Sequence, residues 1–305
     1  MKIVVTGGAG FIGSHLCDAL IGNSHEVAII DNLSSGLKEN INLAAKFYEA
    51  DITNFSKIGD IISKEKPEII FHLAAQINVR KSDENPVFDA QNNIVASFNL
   101  IKNAHANKVK KFIFSSTGGA IYGDTENRPT PETENEWPLS PCGIAKLAVD
   151  KFLNYYYQMH GLNFTSLRYG NVYGPRQNPH GEAGVVAIFI NKMRAGEQPV
   201  INGDGKQTRD YIYVDDVVRA NLLAVENLGK SAIYNIGTGR EIDVNYLFQE
   251  INKHFGNRFE EKHGPAKSGE QKTSCLSYEK IKEDLWWEPA VAFEDGIKKT
   301  TKLWK

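Results

Sequence analysis

Cysteine is scarce in this chain. Only Cys17, Cys142 and Cys275 occur in 305 residues, far apart and odd in number, which argues against a disulfide framework and for a reducing compartment. Charge imbalance is missing too: 35 Lys and Arg face 37 Asp and Glu, a formal net charge of -2. Nothing electrostatic therefore favours a nucleic acid or an anionic membrane as partner, although a few local cations would suffice for a small anionic ligand. No apolar run is long enough to cross a bilayer. The N-terminus enters the strand-like "KIVVTG" directly, without signal-peptide character. The eight histidines follow no metal-ligand spacing, and no repeat or low-complexity segment interrupts the chain. The expectation is a soluble, cytoplasmic protein with no metal, no nucleic acid and no membrane contact.

What is present is an alternation. Strand-like runs at 2–7, 25–30, 46–51, 68–75, 110–116 and 164–170 are separated by segments with helical spacing at 11–22, 55–64, 86–106 and 142–159. Strands alternating with crossover helices predict an α/β fold, a Rossmann-type doubly wound parallel sheet with helices on both faces. After 170, glycine and proline become frequent and short strands ("PVING", "YIYVDDV", "AIYNIG") mix with helices. This predicts a nucleotide-binding domain over 1–169, with a return segment near 211–238. An interleaved, smaller α/β substrate lobe is expected over 170–305.

The segment "VVTGGAGFIGSHL" places Gly7, Gly10 and Gly13 between a strand and an apolar helix. Such glycines permit a tight turn and let main-chain N–H groups approach a pyrophosphate at the positive helix end. The next strand ends at Asp31, roughly 20 residues on, as a dinucleotide fingerprint requires. A carboxylate there accepts from an adenosine ribose and repels a 2′-phosphate, so NAD is expected rather than NADP. Asp51, closing the third strand, is placed to meet the adenine.

Further segments narrow the reading. "TGGAGFIG", "HLAA" (72–75), "SSTGGAIYG" (115–123), Lys146 and "RYGNVYGPR" (168–176) together resemble the extended short-chain dehydrogenase/reductase family. "GDGKQTRDYIYVDD" (203–216) and "LWWEP" (285–289) make the chain similar to its UDP-glucose (UDP-N-acetylglucosamine) 4-epimerase type. The resemblance runs in order along nearly the whole chain. It implies oxidation of a UDP-sugar at C4, rotation of the keto-sugar, and reduction on its other face, with NAD regenerated. It also implies a homodimer, built from the helices at 86–106 and 142–159.

Residue by residue, the resemblance implies NAD contacts from Gly7, Gly10, Phe11, Ile12, Asp31, Asn32, Ser35, Gly36, Asp51, Ile52, Leu73, Ala74, Ala75, Gln76, Asn93, Ser115, Lys146 and Tyr169. It assigns the substrate to Thr117, Asn171, Val185, Asn202, Arg209, Lys267, Glu270 and Ser274. Arg209 would grip the diphosphate, for which a planar guanidinium is suited; a surface ion pair with Asp210 or Glu197 is its bland alternative. Lys267 stands where relatives carry a second arginine, and Asn202 where many place an aromatic under the uracil. Ser274 falls at the gate beside the sugar's 2-substituent, where a small residue leaves room for an N-acetyl group. Otherwise it is a polar residue on an exposed loop.

The catalytic trio implied is Thr117, Cys142 and Lys146, and position 142 departs from the pattern. Relatives have Tyr-x-x-x-Lys; this chain has Cys142-Gly-Ile-Ala-Lys146. Three readings stay open. Cys142 is the base, since a thiol is more acidic than a phenol and a nearby lysine acidifies it further. Or the short thiol does not reach, and Thr117 with water relays the proton. Or the chain binds its ligands and turns them over poorly. Glycines follow Thr117 where 4,6-dehydratases carry an Asp-Glu pair and decarboxylases a Glu, which demotes both. Asp31 demotes an NADPH reductase. A UDP-sugar-binding protein without turnover is the remaining alternative, resting on Cys142 alone.

Overall fold

The computed structural model describes residues 1–179, 184–266 and 271–304, with main chain only at 79 and 80. Its first half is strand–helix alternation: β1 (Lys2–Thr6), α1 (Phe11–Gly22), β2 (Glu26–Asp31), β3 (Lys46–Glu49), α2 (Phe55–Glu65) and β4 (Ile69–His72). Then come α3 (Val79–Glu84), α4 (Pro86–Ala90), a π-helical segment (Gln91–Val95), α5 (Ala96–Ala106), β5 (Lys111–Thr117), α6 (Gly118–Ile121), α7 (Pro141–His160) and β6 (Asn163–Tyr169). The second half holds β7 (Asn171–Tyr173), α8 (Val185–Arg194), β8 (Ile201–Asn202), β9 (Thr208–Arg209), β10 (Tyr211–Tyr213), α9 (Val214–Glu226) and β11 (Ala232–Ile236). It closes with β12 (Ile242–Asp243), α10 (Val244–Lys253), β13 (His263–Gly264), α11 (Glu279–Leu285) and α12 (Phe293–Leu303).

Seven parallel strands form one sheet in the order β11-β6-β5-β4-β1-β2-β3. The order reverses between β1 and β4, the crevice where such sheets bind ligands. β1, β4 and the body of β5 are buried on both faces, which explains their unbroken apolar runs. Leu16 and Leu20 of α1 and Val217 and Ala220 of α9 cover one face. Ile58 and Ile62 of α2, Leu100 of α5 and Val149 and Leu153 of α7 cover the other. Each of these leucine, isoleucine and valine side chains contributes about 1.5–3 kcal/mol on burial. A third cluster, around Tyr173, Phe189, Leu247, Phe248 and Phe293, holds the second half together.

Two sequence-based boundaries change. In "YIYVDDV" only 211–213 are strand; Val214 already starts α9, whose first turn carries Asp215 and Asp216 at its positive end. The helix expected over 86–106 is also broken, by the π-helical segment at 91–95. Apolar spacing alone cannot show a one-residue insertion of this kind.

The chain leaves β6 at Gly170 and β11 at Gly237, side by side, since Gly170 N–H donates to the Ile236 carbonyl (2.9 Å). Both glycines lie against Asp210: a β-carbon at Gly170 would sit 2.8 Å from its carbonyl oxygen. The buried Asp210 carboxylate accepts from Thr238 N–H and Oγ1, Gly239 N–H and Leu276 N–H.

Candidate active site

The glycine turn forms at the C-terminal end of β1. Gly7 has φ +73°, a left-handed conformation natural only to glycine. A β-carbon there would lie 2.7 Å from Ala74 N, so the loop after β4 packs directly on the turn. Helix α1 begins after Gly10 with no side-chain cap and no acidic residue in its first turn. Its positive end, with Phe11 and Ile12 half-buried, is thereby left for an external anion.

The adenosine-side residues gather beside this turn. Asp31 accepts from Ala9 N–H (3.0 Å) and Leu33 N–H (2.8 Å), fixing the glycine loop and keeping lone pairs for further donors. Leu37 N–H donates to the Ala9 carbonyl, folding the exposed Ser35 and buried Gly36 onto the same loop. Asn32 Nδ2 donates to Asp51 (2.7 Å), beside the buried Ile52. Burial raises the Asp51 pKa, but hydrogen bonds from Thr53 and Asn32 outweigh it and hold the carboxyl below its ordinary value.

Leu73, Ala74, Ala75 and Gln76 form the loop above β4, all half-buried. Asn93, in the π-helical segment, accepts from Gln76 N–H and donates to the Gln76 carbonyl, both at 2.8 Å. The Gln76 amide is committed to Asn78, Ser82 and Asp89. The Tyr169 ring likewise faces the core, its hydroxyl against Asn221 of α9. Alternation along β6 turns that side chain away, so at the strand end Tyr169 can offer a ligand main chain only.

"SPCGIAK" is a helix start. Ser140 caps α7 by accepting from Gly143 N–H (3.2 Å), and Pro141 takes the first helical position. Gly143 lets this end press on α6: a β-carbon there would lie 2.8 Å from the Ala120 carbonyl. The first turn of α7, holding half-buried Cys142, therefore abuts the short helix that Thr117 opens. One turn on, Lys146 is buried, its Nζ donating to the Ser115 carbonyl (2.7 Å) and lying 4.7 Å from the Phe114 ring centre. Burial lowers the Lys146 pKa. Burial also raises the pKa of the Cys142 thiol, more than Lys146 lowers it, with Asp89 adding to the rise. The expected acidification by lysine is thus overridden by desolvation.

On the far side, a β-carbon at Gly119 would lie 3.5 Å from Asn171 Oδ1 and 3.8 Å from Ser274 Oγ. Asn171 and Ser274 thus meet beside the short helix that Thr117 opens. Ser274 is 5 % exposed, so it is not a residue of an exposed loop. The strap carrying it is pinned by Gln271 Nε2 to the Gly123 carbonyl, by Lys272 N–H to Asp124, and by Leu276 N–H to Asp210. Arg209 donates through Nη1 to the Thr208 carbonyl (2.8 Å), and Gln207 Nε2 to the Asn202 carbonyl (3.1 Å). Val185 opens α8. Lys267 and Glu270 lie outside the described residues.

Sequence reasoning did not find the groups that brace this site. Asp150, on the Cys142–Lys146 face of α7, accepts from Ser116, Ser166 and Arg168. Arg168 also bonds the Tyr122 hydroxyl and Glu136, tying β5, β6, α6 and α7 together. The spacing of 142, 146 and 150 on one helix face was the available signal.

A doubly wound sheet with an uncapped glycine turn, a carboxylate at the end of β2 and a lysine on a helix beside the fifth strand defines a dinucleotide-binding protein of Rossmann type. The chain matches the model of the NAD dependent epimerase/dehydratase family over residues 3–237 and belongs to that family; NAD is its cofactor. The UDP-glucose 4-epimerase of Mycolicibacterium smegmatis is 41% identical over 310 residues, covering 100% of this chain and 99% of its own. A crystal structure of the Thermotoga maritima UDP-glucose 4-epimerase with UDP-glucose is 51% identical, with TM-score 0.97, covering 99% of this chain and 98% of that one. The UDP-N-acetylglucosamine 4-epimerase of Methanobrevibacter ruminantium, solved with UDP-N-acetylmuramic acid, is 36% identical, with TM-score 0.93, covering 99% and 97%. The chain is therefore an enzyme of the epimerase type.

Proposed function

We propose that this protein interconverts UDP-hexoses at C4 through a 4-keto intermediate, and that it accepts UDP-GlcNAc and UDP-GalNAc as well as UDP-glucose and UDP-galactose. The juxtaposition of Gly119, Asn171 and buried Ser274 carries this reading. A small side chain there leaves room beside the sugar, and relatives of both kinds, glucose- and N-acetylglucosamine-type, share the fold. The segments over 1–169 and 211–238 serve the cofactor, and the remainder of 170–305 serves the sugar nucleotide. Arg209, Asn202 and Val185, with Lys267 and Glu270, take the UDP portion.

When bound, NAD supplies the two-electron acceptor and donor for the sugar's C4. The uncapped start of α1 receives its pyrophosphate, and Asp31 its ribose. Thr117, at the end of β5, takes the C4 hydroxyl as a hydrogen-bond partner and relays its proton through water to bulk solvent, from which a proton returns to the C4 oxygen by the same route on reduction. Lys146 lies one turn from position 142, where its ammonium, when formed against the cost of burial, favours the oxyanion. The Cys142 thiol stays protonated, because burial disfavours its thiolate. Turnover is accordingly slow.

The test is conversion of UDP-GlcNAc to UDP-GalNAc by the chain and by Cys142→Tyr. Tyrosine is expected to raise kcat about a hundredfold, in the range of general acid–base contributions. Cys142→Ala is expected to retain the residual activity. Loss of all turnover in Cys142→Ala would make the thiol the base. Inactivity of the chain and of Cys142→Tyr on every UDP-sugar would remove the epimerase reading.

Exposed Phe88 and Val95 on the 86–106 run, and Tyr155 and Met159 on α7, support the homodimer. No helix among the described residues is long and apolar enough to cross a membrane.

A further inference from the structure

The mechanism makes no use of His72, which is 1 % exposed at the end of β4. It sits directly across from Thr6, its partner in the β1–β4 register. Its Nδ1 lies 2.8 Å from Thr6 Oγ1 and its Nε2 lies 2.8 Å from Ser97 Oγ. Ser97 Oγ in turn donates to the Asn93 carbonyl (2.8 Å), and Thr6 Oγ1 accepts from Ala74 N–H (3.2 Å). The ring stacks on Phe114, centres 5.6 Å apart, and burial drives its pKa down to about 3, so it is neutral.

Proton counting leaves one arrangement. The single Ser97 hydroxyl proton goes to Asn93, so Ser97 accepts from His72 Nε2–H. A neutral ring protonated at Nε2 presents Nδ1 as an acceptor, and the Thr6 hydroxyl fills it. The Thr6 oxygen is then free to accept from Ala74. Every donor and acceptor in the chain Ser97–His72–Thr6–Ala74 is used.

Loop 73–76 is held at both ends by this network. Leu73 and Ala74 N–H groups donate to the carbonyl and hydroxyl of Thr6, the residue before Gly7. Gln76 is held by Asn93, whose carbonyl Ser97 engages. We propose that His72, as its Nε2–H tautomer, is a positioning residue for NAD: through Thr6 it sets the main chain of 73–74 against the glycine turn, and through Ser97 the segment that anchors Gln76. This rests on the reading of residues 73–76 as cofactor contacts. An error in tautomer or ring removes the acceptor from Thr6 and loosens the loop.

The test combines nitrogen-15 NMR of His72 with calorimetric NAD affinities of the full chain and four variants. The spectrum is expected to show protonated Nε2 and unprotonated Nδ1. His72→Phe keeps the stacking and loses both hydrogen bonds; Thr6→Val keeps the shape and loses the hydroxyl. Both are expected to weaken NAD binding about tenfold, the scale of a lost buried hydrogen bond. His72→Asn restores an acceptor near the Nδ1 position and is expected to recover part of the loss. Asp31→Asn checks the cofactor site itself and is expected to weaken binding. An Nδ1–H tautomer overturns the proposal, as does equal loss in His72→Asn and His72→Phe. So do affinities within about twofold of wild type for His72→Phe and Thr6→Val while Asp31→Asn weakens. If Asp31→Asn is silent as well, the cofactor reading of this edge falls, and the role of His72 with it.

Discussion

Cys142 and Lys146 occupy one face of α7, and the same desolvation acts on both in opposite senses: it disfavours the thiolate and disfavours the ammonium. A phenol at 142 would extend a ring's length further than the thiol, which ends one atom past its β-carbon. Reach and protonation state thus argue together for a slow relay through Thr117. Ser274 offers a separate residue-scale test. Ser274→Tyr fills the space beside Gly119 and is expected to lower turnover of UDP-GlcNAc at least about tenfold relative to UDP-glucose. Equal loss on both sugars would show that the side chain does not face the 2-substituent. Thr117, Asn171 and Ser274 were legible because they sit in motifs with fixed order. The Tyr169 ring was not, because the alternation that turns it toward Asn221 depends on which face of β6 is packed by α9.

Among the elements, α2 is bound to the sheet by one carboxylate. Buried Glu65 meets Lys2 of β1 (3.2 Å), Lys46 of β3 (2.5 Å) and the Tyr48 hydroxyl. Burial opposes its charge, but these partners outweigh burial and lower its pKa from 4.5 to about 2. The folded pKa lies below the unfolded one. Glu65 therefore stabilises the fold in full above about pH 4.5, and this contribution is lost as pH falls through about 2. Glu65→Gln is expected to lower Tm at neutral pH, with the gap to wild type closing between about pH 4.5 and pH 2. A gap that widens on acidification would contradict the assignment. Elements were the most readable level of the sequence. The capped start "SPCGIAK" and the glycine turn are local signals, spelled out within a few residues. The π-helical segment and the bonds from Asp150 and His72 unite residues from different strands and helices, so no local pattern announces them.

For the whole molecule, parallel strands and crossover helices were legible from alternation, and the edge strand β11 was foreshadowed by "AIYNIG". What the sequence hid is how much of the first half depends on it. β11 pairs with β6 over Ala232–Ile236, while α9 supplies Val217, Ala220 and Ala224 to the face shared with Leu16 and Tyr169. A fragment ending at 169 would expose the β6 edge and this apolar face together. It is expected to aggregate where the full chain elutes as a discrete species on size exclusion, and a well-behaved fragment would contradict this. The adjacent exits at Gly170 and Gly237, both seated on Asp210, have a mechanical consequence. The chain returns to the face of α1 after each exit, first with Val217 and Ala220 of α9 and then with Ile281 and Leu285 of α11, so the two halves are laced together by several crossings and not by a single cord. Asp210 is the knot of that lacing, holding both exits against each other and against Leu276.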